Sequence, residues 1–331
     1  MIEAQSFWSS RGSAASSILE AIWNARRSGS IKVYCYALRK YFLYRRSLSE
    51  EVKLPIDSFS ACQYLSFLKD SGTSLGGIKS ALNAMKWIHN FIPSLNKFND
   101  PLDDKIVQAV FDNALRSVKP VRNMKAPLPK EFIKFVFDSF SLSRSLVVLR
   151  DAAIVCLAFS LLLRHDEISH ISCNHFSLIE NGVKLVIPSS KTDSLRNGKD
   201  VFLAFSEGSY STSGLLMRYM KLANLSLGQN HFLFGPVKLD KSSGVFKVLN
   251  SKLSYNSYRL ILRKQLVQGG FDPDLYGFHS CRSGGATSLA SSTTPLELMS
   301  AGRWKDQRSL AHYVEIPVER RLEMSSSVSM L

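Results

Sequence analysis

The stretch that decides the fold is SLVVLRDAAIVCLAFSLLLRHDEISHI, residues 145–171. Apolar side chains occupy nearly every side of a helix drawn through it, which is typical of a helix buried in a protein interior. Its most apolar part, residues 152–163, is too short to span a bilayer. We therefore predict a single buried core helix here, against which the neighbouring elements pack.

The residues that follow the predicted core helix favour strands. In FSLIENGVKLVIPSSKTDSLRNGKDVFLAF, residues 176–205, short β-favouring runs are broken by Asn-Gly pairs at 181–182 and 197–198, which are hairpin signals. These runs predict a small antiparallel sheet of about three strands. Beyond it the pattern is helical again, including residues 254–270 and GFHSCRSGGATSLA at 277–290.

The residues before the core helix predict a separate helical domain. Apolar residues recur at helical spacing in five segments, each of which begins near a Ser or Pro. These segments are residues 13–27, 30–46, 58–70, 74–92 and 101–118. The polar and basic stretch KPVRNMKAPLPK at 119–130 contains three prolines and resists continuing a helix. It is followed by a further predicted helix, KEFIKFVFDSF at 130–140.

The predicted fold class is mainly α with a small antiparallel β-sheet. A chain of 331 residues is long enough for two domains with sizeable cores. We place a helical domain at residues 1–118, a basic proline-containing linker at 119–128 and a mixed α/β domain at 129–331.

Composition points to a polyanionic partner. The chain carries 42 Lys and Arg against 27 Asp and Glu, a formal net charge of +15 that is shared between its two halves. Nucleic acid fits this excess best, and an anionic membrane surface fits it second. Five scattered cysteines without a CxxC pair argue against a disulfide framework and a zinc site. The first residues lack the pattern of a signal peptide, so an intracellular protein is expected.

Charged residues that interrupt apolar surroundings are the first candidates for a site. Arg164 and Glu167 follow the core run in LLLRHDE, where an unpaired charge would be costly. Taken alone, the two residues could be a structural pair that caps the core helix, or the arginine could face a ligand. Lys191 lies in the predicted hairpin loop PSSKTDS, where a lysine is ordinarily solvated.

His279 and Arg282 in HSCR lie one helical turn apart, at the start of the predicted helix. Three explanations compete for this pair. Ser280 could be a helix N-cap with both side chains exposed, or the histidine could be a core residue. The pair could also bind a phosphate at a helix N-terminus, with the small SGGA segment allowing close backbone approach.

Trp304 and Tyr313 lie nine residues apart in GRWKDQRSLAHYVE, and either aromatic alone would be ordinary core packing. As an ordered set, however, these residues change the interpretation. The chain resembles the tyrosine recombinases of the phage-integrase superfamily over essentially its whole length. Arg164 and Glu167 match the R-x-x-E motif, Lys191 the hairpin lysine, and His279 and Arg282 the H-x-x-R box. Trp304 stands where most members have His and some have Trp, and Tyr313 matches the nucleophile.

The resemblance implies a metal-free phosphoryl-transfer site with no metal or nucleotide cofactor. Tyr313 would attack a DNA phosphate to give a 3′-phosphotyrosine, while Arg164 and Arg282 neutralise its non-bridging oxygens. Lys191 would be the general acid for the leaving 5′-oxygen, and His279 would assist proton transfer from Tyr313. The indole N–H of Trp304 would face a phosphate oxygen, and Glu167 would orient Arg164 or His279.

The resemblance also implies partners. A homotetramer on double-stranded DNA would exchange strands through a Holliday junction, with no role for a membrane. HSCRSGGAT and AGRW are similar to the recombinases of DIRS-like retroelements and cryptons, which implies excision or integration of a mobile element, in the nucleus if the element is eukaryotic. Two alternatives are a type IB topoisomerase and a non-catalytic DNA-binding relic. The candidate DNA-contact residues are Arg39, Lys40, Lys79, Lys86, Arg259, Arg263 and Lys264.

Overall fold

The structure is a computed structural model that describes residues 28–51, 53–92, 95, 99–118, 125–188, 198–314 and 318–328. The chain forms two compact units, Met1–Arg122 and Asn123–Leu331. The predicted helix at 13–27 lies outside the described residues. Among the residues described, no helix is both long and apolar enough to cross a membrane. All five cysteines are free thiols.

The first unit is helical in its described part. Its elements are α1 (Ser28–Ser47), α2 (Ser58–Asp70), α3 (Leu75–His89), a 3-10 turn (Pro101–Asp103) and α4 (Lys105–Ser117). Helix α2 packs against α4, and α1 packs against α3. Asp57 begins α2 by accepting a hydrogen bond from the Ser60 N–H at 2.8 Å, a cap of about 1 kcal/mol. Tyr64, Leu65 and Ile78 are fully buried in the core that these helices share.

The second unit is mixed. Its helices are α5 (Lys130–Phe140), α6 (Leu146–Ser160), α7 (His165–Ser169), α8 (Thr212–Leu222), α9 (Tyr255–Gln268), α10 (His279–Leu289), α11 (Pro295–Gly302), α12 (Gln307–Ala311) and α13 (Val318–Val328). Its strands are β1 (Phe176–Ile179), β2 (Gly182–Ile187), β3 (Lys199–Ala204), β4 (Val237–Leu239) and β5 (Phe246–Val248). The predicted fold class, mainly α with a small antiparallel sheet, is confirmed.

Helix α6 is the centre of the second unit's core, as its sequence predicts. Residues buried within it include Leu149, Ile154 and Leu157, and helices α5, α8 and α10 pack around it. The prediction of one continuous helix over 145–171 is wrong, however. The chain leaves the helix after Ser160 through a left-handed residue, Leu162, at φ 51°.

The turn between α6 and α7 is closed by backbone hydrogen bonds rather than by a helix-breaking residue. The Leu163 N–H donates to the Ala158 carbonyl at 2.9 Å, a bond that spans the left-handed Leu162. Arg164 is then extended, at φ −78° and ψ 156°, and stands at the N-cap of α7. The turn therefore places Arg164 outside both helices, with its side chain free to follow a different direction from α6.

The three-stranded sheet is confirmed, in the order β1-β2-β3 with both pairs antiparallel. Ile179 pairs with Gly182, so the two-residue hairpin loop is Glu180 and Asn181. The connection from β2 to β3, residues 189–197, lies outside the described residues. The prediction that the chain is helical again after this sheet missed a second antiparallel hairpin, formed by β4 and β5.

Helix α10 approaches other protein backbones closely at the two glycines of SGGA, whereas the close approach to a phosphate suggested for that segment stays a prediction. A Cβ on Gly284 would lie 2.1 Å from the Leu128 carbonyl oxygen, and one on Gly285 would lie 2.2 Å from the Phe159 carbonyl oxygen. No side chain larger than hydrogen fits either position without a backbone shift. The contact at Gly285 fixes α10 against the end of α6, and Arg164 lies in the chain just after that end.

Candidate active site

Arg164 and Glu167 form an ion pair that is built into the start of α7. The Glu167 carboxylate accepts from the Arg164 backbone N–H at 2.9 Å and from its Nη1 at 2.7 Å. The glutamate is fully buried, and 14% of the arginine side chain is exposed. A buried carboxylate thus holds a guanidinium that still reaches the surface, which suits an arginine that binds an anion.

Arg282 is fully buried, three residues into α10. Its Nη1 donates to the Leu162 carbonyl and its Nη2 to the Gly302 carbonyl, so it ties the α6–α7 turn to the end of α11. Its guanidinium carbon lies 4.4 Å from the Trp304 ring centroid and 5.1 Å from that of Tyr313. Because α10 begins beside this turn, Arg282 and Arg164 are brought to the same end of α6.

Three aromatic rings meet at Tyr313. The Tyr313 centroid lies 5.1 Å from that of His279 and 5.0 Å from that of Trp304. Tyr313 is half-buried, in the turn after α12, where its carbonyl accepts from Thr287 Oγ1 at 3.3 Å. The candidate nucleophile therefore lies beside the H-x-x-R pair and beside the tryptophan that precedes it by nine residues.

The structure decides between the alternatives for His279 and Arg282 in part. Ser280 does not cap α10, since the helix begins at His279 with Phe278 at the cap position. Arg282 is buried rather than exposed, and His279 is exposed rather than a core residue. Both of the non-functional explanations are therefore wrong as stated, and phosphate binding by the pair stays a prediction.

Three buried donors at this site have no acceptor among the described residues: Arg282 Nε, Arg303 Nε and Trp304 Nε1. Leaving a buried N–H without a partner costs about 1–3 kcal/mol. The Arg282 and Trp304 side chains contact the Tyr313 ring. Unpaired donors next to a tyrosine are what an oxyanion-binding site offers before its ligand arrives.

Arg303 is a site residue that sequence reasoning missed. It is 6% exposed, at φ 58°, and its Nη2 donates to Glu167 Oε2 at 2.9 Å. One carboxylate is thus shared by Arg164 and Arg303. With Arg282 close by, three arginines and one glutamate leave the cluster with a formal charge of +2.

The arginines set the electrostatics of the cluster. Burial alone would raise the pKa of Glu167, but the charges of Arg303 and Arg164 and the Arg164 N–H outweigh it, so the carboxyl is held below its ordinary pKa. Burial, and after it the charge of Arg164, lowers the pKa of Arg282. A guanidinium stays protonated at neutral pH nonetheless, so the cluster keeps its positive charge.

The remaining predicted residues are dispersed. Lys191 lies outside the described residues. Of the DNA-contact candidates, Arg39, Lys40, Lys79, Arg259, Arg263 and Lys264 are exposed. Two candidates are engaged in ion pairs: Lys86 with Asp103 at 2.6 Å, and Arg263 with Asp274 at 2.7 Å.

Comparison with known proteins points to one family. The chain is 26% identical over 219 residues to an integrase/recombinase XerD homolog of Selenomonas ruminantium, covering 66% of this chain and 62% of that protein. It is 23% identical over 275 residues to the recombinase Cre of Escherichia phage P1, covering 78% of this chain and 76% of Cre. No protein-family model matches the chain.

A solved structure shares the fold over nearly the full length. The Tn1549 transposon integrase, in complex with transposon right end DNA, superposes with a TM-score of 0.62 at 14% identity, covering 98% of this chain and 97% of that one. The fold is therefore that of the tyrosine recombinases. The two sequence relatives, an integrase/recombinase homolog and a recombinase, agree with this fold.

Proposed function

We propose that the protein is a site-specific DNA recombinase that cuts and rejoins strands through a 3′-phosphotyrosine. One observation carries this proposal: the half-buried Tyr313 lies against His279, Trp304 and the Arg282 guanidinium. A tyrosine beside a cationic, partly unpaired set of donors suits covalent attack on a phosphodiester. Arg164, held by Glu167, adds a second guanidinium at the same place.

In the proposed reaction, Tyr313 Oη forms a bond to the scissile phosphorus while the bond from phosphorus to the 5′-oxygen breaks. The phenol proton passes to His279, and Lys191 gives a proton to the departing 5′-oxygen. Arg164 and Arg282 neutralise the non-bridging oxygens, and the Trp304 indole N–H donates to one of them. The reverse of this step, with a 5′-hydroxyl from another strand, completes the exchange.

We propose double-stranded DNA as the partner and a homotetramer as the active assembly, working on DNA inside the cell. The net charge of +15 supports a DNA partner. The fold shared with a transposon integrase supports excision or integration of a mobile element. Origin in a eukaryotic DIRS-like or crypton element, and with it a nuclear location, stays a prediction.

Covalent trapping from a random-sequence duplex library tests the proposed function and identifies the target sequence in the same experiment. The full chain is incubated with nicked duplexes, and DNA that stays bound to protein in SDS is recovered and sequenced. The wild-type chain should enrich one sequence class, and Tyr313→Phe should bind that DNA yet trap none. Trapping that is independent of sequence would favour a type IB topoisomerase, and no trapping by the wild type would favour the non-catalytic relic.

A substrate with a better leaving group tests the proposed role of Lys191 as general acid. Lys191→Ala should cleave the recovered DNA about 10²- to 10⁴-fold more slowly, because general acid catalysis typically contributes that much. A 5′-bridging phosphorothiolate, whose sulfur leaves without protonation, should restore the rate. If the variant stays equally slow on both substrates, Lys191 is not the general acid.

A further inference from the structure

Arg303 occupies a conformation that usually belongs to glycine. It ends α11 in the left-handed region, at φ 58° and ψ 41°, which costs a residue with a side chain about 1–2 kcal/mol. Its side chain nevertheless turns inward and is buried. A buried charge on a strained backbone is retained only where the surrounding contacts compensate for both costs.

The Arg303 guanidinium is bound on two sides. Nη1 donates to the carbonyls of Leu161 at 3.2 Å and Ala301 at 3.1 Å. Nη2 donates to the Leu162 carbonyl at 3.0 Å and to Glu167 Oε2 at 2.9 Å. Arg303 thus holds the turn that precedes Arg164 and, separately, the carboxylate that pairs with Arg164.

The contact between Arg303 and Glu167 changes the net charge around Arg164. If Glu167 paired with Arg164 alone, the two charges would cancel, and Arg164 would attract a phosphate only weakly. Because Arg303 binds the same carboxylate, the group of Arg164, Glu167 and Arg303 carries a net charge of +1. Arg164 then keeps both its fixed orientation and an uncancelled charge.

We propose that Arg303 is a positioning residue for DNA cleavage, which acts on the scissile phosphate through Glu167 and Arg164. This inference rests on the proposed function. It assigns Arg303 no contact with DNA, so its effect belongs to the rate of cleavage rather than to the affinity for the duplex.

Two variants separate the charge from the packing. Arg303→Lys and Arg303→Met have side chains of similar length, and both lose the planar fork that binds several carbonyls at once. Only the lysine keeps a positive charge next to Glu167. Because lysine can still donate to a carbonyl and methionine cannot, a role confined to capping the turn would separate the two variants equally with and without Glu167. Positioning through Glu167 separates them only when Glu167 is present.

Single-turnover cleavage of the trapped target DNA, with the dissociation constant measured in parallel, is the test. Arg303→Lys should cleave within about tenfold of wild type and Arg303→Met about 10²-fold more slowly, a loss typical of one misplaced electrostatic group. Their dissociation constants for DNA should agree within about twofold, since Arg303 is assigned no phosphate contact and the affinity for a duplex sums many such contacts. In a Glu167→Gln background the two variants should cleave equally. Equal rates in the presence of Glu167 would overturn the proposal.

Inorganic phosphate distinguishes failure of this inference from failure of the proposed function. Its binding to the full chain can be followed by tryptophan fluorescence, with Trp304→Phe as the control for the chain's three other tryptophans. If the wild-type chain traps no DNA, but Arg303→Met binds phosphate more weakly than Arg303→Lys does, the proposed function is contradicted and the positioning of Arg164 stands. If the wild-type chain traps DNA, but the two variants cleave it equally fast and bind phosphate equally well, the positioning role alone is contradicted. Loss of folding in both variants, seen as a lost thermal transition, would show a purely structural role.

Discussion

At the scale of single residues, Arg282 connects the parts of the site. It is fully buried, and its two terminal nitrogens bind carbonyls from the α6–α7 turn and the end of α11. Arg282→Ala removes these bonds and leaves the Gly302 carbonyl without its side-chain donor, while the Leu162 carbonyl keeps its bond from Arg303 Nη2. We expect a loss of about 1–3 kcal/mol in the free energy of unfolding, the cost of a buried polar group left without its partner. Urea denaturation measures it, and the exposed Arg259→Ala should stay within about 0.5 kcal/mol of wild type.

Glu167 gives the fold an acid-sensitive contribution. Its folded-state pKa lies below its ordinary value of 4.5, so the carboxylate stabilises the fold above that pH. This stabilisation is lost as the pH falls through the folded-state pKa. Glu167→Gln should therefore lower stability at neutral pH and show a smaller further loss on acidification than wild type. Thermal unfolding between pH 7 and pH 3 measures this, with the exposed Glu207→Gln as the control. Parallel curves for wild type and Glu167→Gln would contradict the assignment.

Sequence reasoning reached much of the site and missed one member for a physical reason. The resemblance to the tyrosine recombinases implied that His279, Arg282, Trp304 and Tyr313 lie together, and the described structure places them in contact. Their catalytic roles stay predictions. Arg303 gave no such signal, because a basic residue in a polar loop is ordinarily solvated. Only its left-handed backbone and its distance to Glu167 identify it.

At the scale of elements, the end of α11 depends on Gly302. A Cβ there would lie 1.7 Å from Trp304 Cζ3, so Gly302→Ala must displace the indole ring. We expect a loss of about 1–3 kcal/mol in stability, as for other overpacked sites, together with slower DNA cleavage. Gly76→Ala in α3, where no atom lies within 4 Å, should instead be neutral or stabilising by up to about 1 kcal/mol. Unfolding curves for the two variants make the comparison, and equal effects would contradict it.

Two features of the helices and strands were not predicted from the sequence, each for a local reason. The apolar run at 145–171 contains no helix breaker, so its pattern could not show the left-handed Leu162 that ends α6. The hairpin β4–β5 has strands of three residues each, too short for alternation to be informative. Its one available signal was the Ser-Ser-Gly at 242–244, where Gly244 has φ +68°.

At the scale of the whole molecule, the charge of +15 predicts salt-dependent binding to the target DNA. Each phosphate contact contributes about 0.9 to the slope of log affinity against log salt. Arg259 and Arg263 lie on α9, and Arg263 is already paired with Asp274. We expect Arg259→Ala to lower the slope by about 1 and Arg263→Ala to lower it less. Binding titrations from low to moderate salt measure both slopes, and the reverse order would contradict this assignment.

The central claim is that Tyr313 forms the covalent bond to DNA. The most direct test is protease digestion of the SDS-stable complex, followed by tandem mass spectrometry of the peptide that carries the nucleotide. The adduct should map to the Tyr313 side chain and be lost in Tyr313→Phe, while that variant still binds the same DNA. An adduct on any other residue, or one that persists in Tyr313→Phe, would contradict the account.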